Sequence, residues 1–320
     1  MIIPILTATR SGGFVQRLPS APFHNSFQFR LIRVIKRAHP GHHIAVANVK
    51  LISSRDNSFF KQLVKLAESA QQRRASVLTL LDGVHLIRAY RLALGQPQNL
   101  IMSESGCQNE EVKQLLAEER EKAVENETPM TVLSDALFRA ISPVKTPTGV
   151  IALIAIPAQQ VFAERKKDRF FVLLEAIQDP GNLGSILRSA AAAGASNIYL
   201  SEGCADAWSP KVLRAAMGAH FLIGIHEQSD LANVARDFNG KVIATSLNAK
   251  NSLYRTRLVG PVAFVFGNEG MGISDALLQA TSDHIVIPMP GGTESLNAAA
   301  AAAVCFFERV RQMSVVAAAS

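Results

Sequence analysis

"FFVLLEAIQDPGNLGSILRSAAAAGA", residues 170–195, holds in one stretch the unit from which the second half of the chain is built. The apolar run at its start is too short for a buried helix and ends at Asp-Pro-Gly, so it reads as a buried strand, 170–178. A glycine-bearing loop follows at 179–185. Then come Ile186 and Leu187 and a run of small residues, which read as a helix. Strand, glycine loop, helix is the unit of an α/β sheet.

The unit recurs downstream. "NIYL" (197–200) is a strand, and a helix follows around Val212–Met217. "KVIATSL" (241–247) is another strand. "VAFVF" (262–266) opens into "GNEGMGIS" (267–274) and a helix. "HIVIPM" (284–289) leads into "PGGTESLNAAAAAA" (290–303), where a polar knot meets six alanines that start the last helix. Three strands thus end in glycine-rich loops, at 179–185, 267–273 and 290–297. In open parallel sheets ligands bind outside the carboxyl ends of the strands, so three such loops imply one shared pocket. An alanine run at the pocket's edge implies a helix whose backbone is closely approached.

Upstream, "RDNSFFKQLVKLAESAQQRR" (55–74) has a capping start at Asp56/Asn57 and a helical spacing of Phe60, Leu63, Val64 and Leu66. "SVLTLLDG" and "NLIMSES" are strands, "VHLIRAYRLAL" and 109–124 helices, and "TVLSD" and "GVIALIAI" two more strands. Residues 49–156 therefore form a smaller α/β domain, 157–169 a polar, basic linker, and 170–320 the second domain. Residues 1–48 show no core pattern and are expected to be a disordered arm, a targeting segment or an extension ahead of the true start.

The net charge of +7 sits at the N-terminal end, in that arm and the two residues after it. Residues 1–50 hold seven basic residues and no acid, which leaves 26 basic against 26 acidic residues elsewhere. Nucleic-acid contact in the body must then come from local patches such as "QQRR" (71–74) and "ERKKDR" (164–169), for which an ordinary solvated surface is the alternative. Aromatics are 6% of the chain, too few for an evident base-stacking platform. Cys107, Cys204 and Cys305 are scattered and odd in number, which excludes a disulfide framework or a CxxC zinc site and fits a reducing compartment. No apolar run reaches the length of a membrane span.

The glycine loops exclude the common nucleotide sites. None is GxGxxG or GxxxxGK[ST]; 179–185 carries GxxG and 267–272 carries GxxGxG. "DPGNLGSILRSA", "FGNEGMGIS" and "IPMPGGTESLNAAAA" instead resemble the three ordered motifs of the SpoU/TrmH (SPOUT) family of RNA ribose 2′-O-methyltransferases. "SPKVLRAAMGAHF" (209–221) resembles the family's connecting segment. "ISSRDNSFFKQLVKLAESAQQRR…LLDGVHLI" resembles the ribosomal-protein-like substrate-binding domain of the rRNA-directed branch. The resemblance implies an α/β trefoil-knotted methyltransferase domain behind a small N-terminal α/β domain. It also implies a cytoplasmic homodimer that uses S-adenosyl-L-methionine on RNA, without metal or membrane.

By the same resemblance, Arg188 and Asn182 from the first motif, Glu269 from the second, and Ser295 and Asn297 from the third are the catalytic positions. Gly267, Ile287 and Leu296 are the cofactor positions, contacting it through main-chain groups. The residue types alone leave other roles open. Glu269, Ser295 and Asn297 could cap helices. Arg188, an always-charged guanidinium, suits a phosphate grip or a stabilising charge better than a base. His85 is read as structural. The substrate-domain match favours large-subunit rRNA over tRNA. A non-catalytic RNA-binding or ribosome-assembly protein on the same fold is the alternative, disfavoured because all five polar positions are present.

Overall fold

The computed structural model describes residues 49–122, 128–158 and 169–319. The arm at 1–48 and the "ERKK" part of the linker fall outside them. The first half runs β1 (Val49–Ile52), α1 (Ser58–Glu68), α2 (Ala70–Ser76), β2 (Leu78–Asp82), α3 (Val84–Leu94), β3 (Asn99–Ser103), α4 (Glu110–Lys122), β4 (Met130–Leu133), α5 (Asp135–Ile141) and β5 (Val150–Ala155). Asn57 caps α1, its Oδ1 accepting from the amides of Phe59 and Phe60. The single helix expected over 55–74 breaks at Ser69, whose backbone is extended and whose hydroxyl caps α2. These strands form a five-stranded sheet in the order β1-β4-β3-β5-β2, in which β5 runs antiparallel to both neighbours. Its core joins Leu63 and Leu66 of α1 to Leu80, Ile101 and Ile151, with Phe138 of α5.

The second half runs β6 (Phe170–Leu174), α6 (Pro180–Ala192), β7 (Asn197–Leu200), α7 (Pro210–Ala216), β8 (Gly224–His226), α8 (Leu231–Asp237), β9 (Lys241–Thr245), β10 (Asn251–Ser252), β11 (Val262–Phe266), α9 (Asp275–Gln279), β12 (Asp283–Val286) and α10 (Ala298–Ala319). All six pairings of the seven-stranded sheet are parallel, in the order β10-β12-β9-β11-β6-β7-β8. β6 is apolar throughout because both its faces are covered. Phe171 and Leu173 pack with Leu231 and Phe238 on one side. Phe170 points to the other, where its ring centroid lies 5.4 Å from that of Phe306 in α10.

One sequence reading is corrected. The loop expected at 179–185 is the first turns of α6: Asp179 is the N-cap, Pro180 opens the helix, and Gly181 and Gly184 lie inside it. Proline at the first helical position is pre-set for that geometry. Gly184 serves the crossing of α6 over α7, since a Cβ there would collide with the Ala215 methyl and the Val212 carbonyl. It keeps two helices close; it does not cradle a ligand.

The two sheets are joined by polar contacts, most of them buried. Arg73 of α2, expected as part of a surface patch, is only 3% exposed. Its Nε donates to Asp206 Oδ2 at 2.7 Å and its Nη1 to the Leu66 carbonyl at 2.5 Å. Thr79 Oγ1 of β2 donates to the Trp208 carbonyl at 2.6 Å. Arg74 pairs with Glu227 at 3.8 Å. His220 is buried, with Nε2 2.7 Å from the Ala207 carbonyl, and burial pushes its pKa down to about 4.

Candidate functional site

Two cavities flank the N-terminal turn of α6. The first, about 690 Å³, lies at the carboxyl ends of β9, β11 and β12. Phe266, Leu247 and Met289 contribute apolar surface to it. The three residues expected to contact cofactor, Gly267, Ile287 and Leu296, line it, as do Glu269, Ser295, Asn297 and two of the alanines, Ala298 and Ala301.

The loop at 267–273 is rigid for identifiable reasons. Asn268 and Gly272 exchange both backbone hydrogen bonds at 2.9 Å, folding the loop onto itself. A side chain at Gly267 would run into the Gly272 carbonyl and the Ile273 amide, so this glycine is demanded by the turn. Asn268 Oδ1 accepts from the amides of Gly270 and Met271, while its Nδ2 donates to the Ala176 carbonyl after β6. Glu175 accepts from both the amide and the hydroxyl of Ser274 at 2.7 Å. The loop is thereby tied to the connection that leads into α6.

Side chains complete the convergence. Asn182 Nδ2 donates to Glu269 Oε1 at 2.9 Å, and Asn297 Nδ2 donates to Asn182 Oδ1 at 2.8 Å. Asn297 Oδ1 meanwhile accepts from the amides of Ala299 and Ala300. Asn297 therefore caps α10 with its oxygen and binds Asn182 with its nitrogen, so one side chain serves both the helix start and the polar chain. Three motifs separated by up to 115 residues meet in one chain of amide and carboxylate groups. The polar knot sits at the helix N-terminus because that end is the meeting point.

Arg188 is placed elsewhere. It projects, exposed, from α6 into the second cavity, a cleft of about 750 Å³ between the two sheets. Asp82, His85, Lys211 and Arg214 line the same cleft. His85, read from sequence as structural, is exposed there. Arg214 Nη1 donates to Asp82 Oδ2 at 3.0 Å. Burial raises the Asp82 pKa to about 6, outweighing the opposing effect of Arg214. Asp82 Oδ1 is buried without a partner among the described residues. Sequence reasoning gave no role to Asp82, Lys211 or Arg214; the match of "SPKVLRAAMGAHF" to a connecting segment was the signal that pointed near two of them. The described residues hold no cluster of His, Cys, Asp and Glu suited to a metal, and the three thiols are unpaired.

A parallel sheet in which two motif loops and the start of α6 converge on an amide–carboxylate chain defines a class, and sequence comparison agrees with it. The profile of the SpoU rRNA Methylase family matches residues 169–307, and that of an MRM3-like substrate binding domain matches 57–152. The chain is 31% identical over 272 residues to an uncharacterised tRNA/rRNA methyltransferase of Synechocystis, spanning 83% of this chain and 95% of that one. It is 30% identical over 264 residues to the 23S rRNA (guanosine(2553)-2′-O)-methyltransferase of Bacillus subtilis, spanning 81% and 98%. Among solved structures, an AdoMet-bound rRNA methyltransferase of Sinorhizobium meliloti aligns with a TM-score of 0.69 at 25% identity, over 82% of this chain and 98% of that one. The chain belongs to the SpoU rRNA methylase family.

Proposed function

We propose that this protein is an S-adenosylmethionine-dependent methyltransferase acting on a ribose 2′-hydroxyl of large-subunit rRNA. The observation that carries the reading is the hydrogen-bonded chain Glu269–Asn182–Asn297 at the edge of the cavity lined by Gly267, Ile287 and Leu296. The cavity has the volume of a small-molecule site and mixes apolar walls with main-chain groups, as an adenosyl ligand requires. The cofactor supplies a methyl group already activated on sulfonium. What the chain must add is alignment of the ribose oxygen and help with its proton. Gly267, Ile287 and Leu296 hold the cofactor through main-chain groups. Glu269, Asn182, Ser295 and Asn297 order the polar edge where the ribose enters. Arg188, a fixed cation, binds phosphate and stabilises charge beside the attacking oxygen.

The same reading assigns 49–156 to RNA recognition and 170–320 to catalysis, supported by the separate profile matches to 57–152 and 169–307. A trefoil knot is part of it, supported by β11 lying between β9 and β6 while β12 pairs on the far side of β9. So is a homodimer, supported by the exposed apolar side chains Phe307, Val315 and Val316 of α10. The test is single-turnover methyl transfer to 23S-type rRNA with direct cofactor binding, on wild type, Arg188→Ala and Arg188→Lys. Wild type should methylate the rRNA. The alanine variant should lose at least about 100-fold in turnover while binding cofactor normally, and lysine, lacking the planar fork, should rescue little. Transfer to tRNA but not rRNA, or cofactor binding without transfer to any RNA, would overturn the substrate or the activity respectively.

A further inference from the structure

We propose that the cleft between the two sheets is a track for backbone phosphates of the substrate RNA, gripped by Arg188, Lys211 and Arg214, with Asp82 of the N-terminal sheet holding Arg214 in place. This rests on the function proposed above and extends it to residues in a segment, 209–221, that the reaction itself leaves without a role. Lys211 and Arg214 are three apart on α7 and so share one of its faces. Arg188 is brought beside them because α6 crosses α7 at Gly184 with no side chain between.

The acids that line the cleft are largely engaged. Asp179 accepts from the Asn182 amide at 2.7 Å as the cap of α6. Asp82 is held by Arg214, and Glu111 of α4 also lines the cleft, where its charge acts on Arg88. Arg188 and Lys211 have no ion-pair partner among the described residues. The Asp82–Arg214 pair is asymmetric: the carboxylate side chain is 1% exposed and that of the arginine 42%. One donor of the guanidinium is spent on Asp82, and the half-exposed side chain lines the cleft. A buried carboxylate thus acts as an anchor that aims a cation outward, which is how a positioning residue behaves. Phosphate is the anion that suits two guanidinium groups and an ammonium in a row.

Position singles out the RNA strand that enters the site. Asp179, Pro180 and Gly181 line the cleft, and the next residue, Asn182, binds Glu269 and Asn297 at the edge of the other cavity. A strand lying in the cleft therefore ends beside the methyl-transfer position.

The experiment measures binding of 23S-type rRNA at several salt concentrations for full-length wild type, Lys211→Ala, Arg214→Gln, Asp82→Asn and the double variant Asp82→Asn/Arg214→Gln. Cofactor affinity and single-turnover transfer are measured beside it. Lys211→Ala and Arg214→Gln should each lower the slope of log K against log salt by about 1, raising KM for RNA with kcat and cofactor affinity unchanged. Asp82→Asn should weaken RNA binding in the same direction, and the double variant should be no worse than Arg214→Gln alone, because Asp82 acts only through Arg214. If a variant at the buried pair fails to fold, Lys211→Ala, at an exposed position, decides. An unchanged salt slope in Lys211→Ala, with wild type active on rRNA, overturns the track. A wild type inactive on every rRNA would instead count against the function on which the track rests.

Discussion

The two cavities on either side of α6 are made in opposite ways. The cavity at 267–298 belongs to one sheet: parallel strands deliver their loops to the same edge, and glycine turns, main-chain groups and amide side chains shape it. The cleft that holds Arg188 belongs to neither sheet. It exists because Arg73, Thr79 and Asp82 of the first half are bonded to Asp206, the Trp208 carbonyl and Arg214 of the second. The difference teaches that a site can be separable from the surface that feeds it. One should survive loss of docking between the sheets, and the other should not.

The sharpest way to break that contrast is Arg73→Ala. It strands Asp206, whose side chain is 9% exposed, as an unpaired buried charge, and about 3–5 kcal/mol of stability should be lost. Cofactor binding, measured on folded protein at low temperature, should outlast RNA binding; equal loss of both would show the two cavities to be one unit.

Next in size is a pair of opposed pH effects, one at the seam and one beside it, within the second half. His220 has its pKa lowered from 6.5 to about 4, so its contribution is complete above pH 6.5 and is lost as pH falls towards 4. Asp82 has its pKa raised from 3.8 to about 6, so its contribution is complete below 3.8 and is lost as pH rises through 6. Each amounts to roughly 3 kcal/mol across its window. Relative to wild type, urea denaturation should show His220→Gln becoming more stable from pH 7 to pH 4 and Asp82→Asn becoming less so. Parallel curves for all three proteins would remove both groups from the account.

Ala302→Leu sharpens the other side of the comparison. Ala302 is fully buried while Ala300, two residues earlier, is exposed. The extra side chain at 302 should cost about 1–3 kcal/mol and weaken cofactor binding, and Ala300→Leu should change little. Similar melting temperatures for the two variants would make α10 an ordinary surface helix. The smallest effect is expected at Thr79→Val, which removes one buried hydrogen bond across the seam and should cost about 1 kcal/mol without touching the cofactor.

The sequence made the first cavity legible and hid the second, for a physical reason. Strand and helix periods and glycine-rich strand ends are local signals, and they located β6, β11 and β12, while the resemblance of the motifs to the SpoU/TrmH family pointed to the residues that line the first cavity. Asp179-Pro180 also carried the start of α6, yet the glycines that follow mimic a loop, and the packing role of Gly184 depends on Ala215 in another helix. Arg73 looks like any surface arginine until Asp206, 133 residues away, arrives beside it. Strands as short as Gly224–His226 and helices of seven residues such as Asp135–Ile141 and Leu231–Asp237 span too few residues to establish a period. No local pattern announces a contact between two sheets.

The bond from Asn297 to Asn182 also fixes a moment in the life of the protein. As the chain leaves the ribosome, the five strands of the first sheet, ending at Ala155, are all available before β6 is made. β6 can pair first with β7 but must wait for β11 on its other edge, and Asn182 must wait a further stretch for Asn297. The first sheet can thus form early on a growing chain, while the Glu269–Asn182–Asn297 chain closes only when the last helix begins. A nascent chain halted short of that helix would carry the first sheet complete and the link between Asn182 and Asn297 unmade.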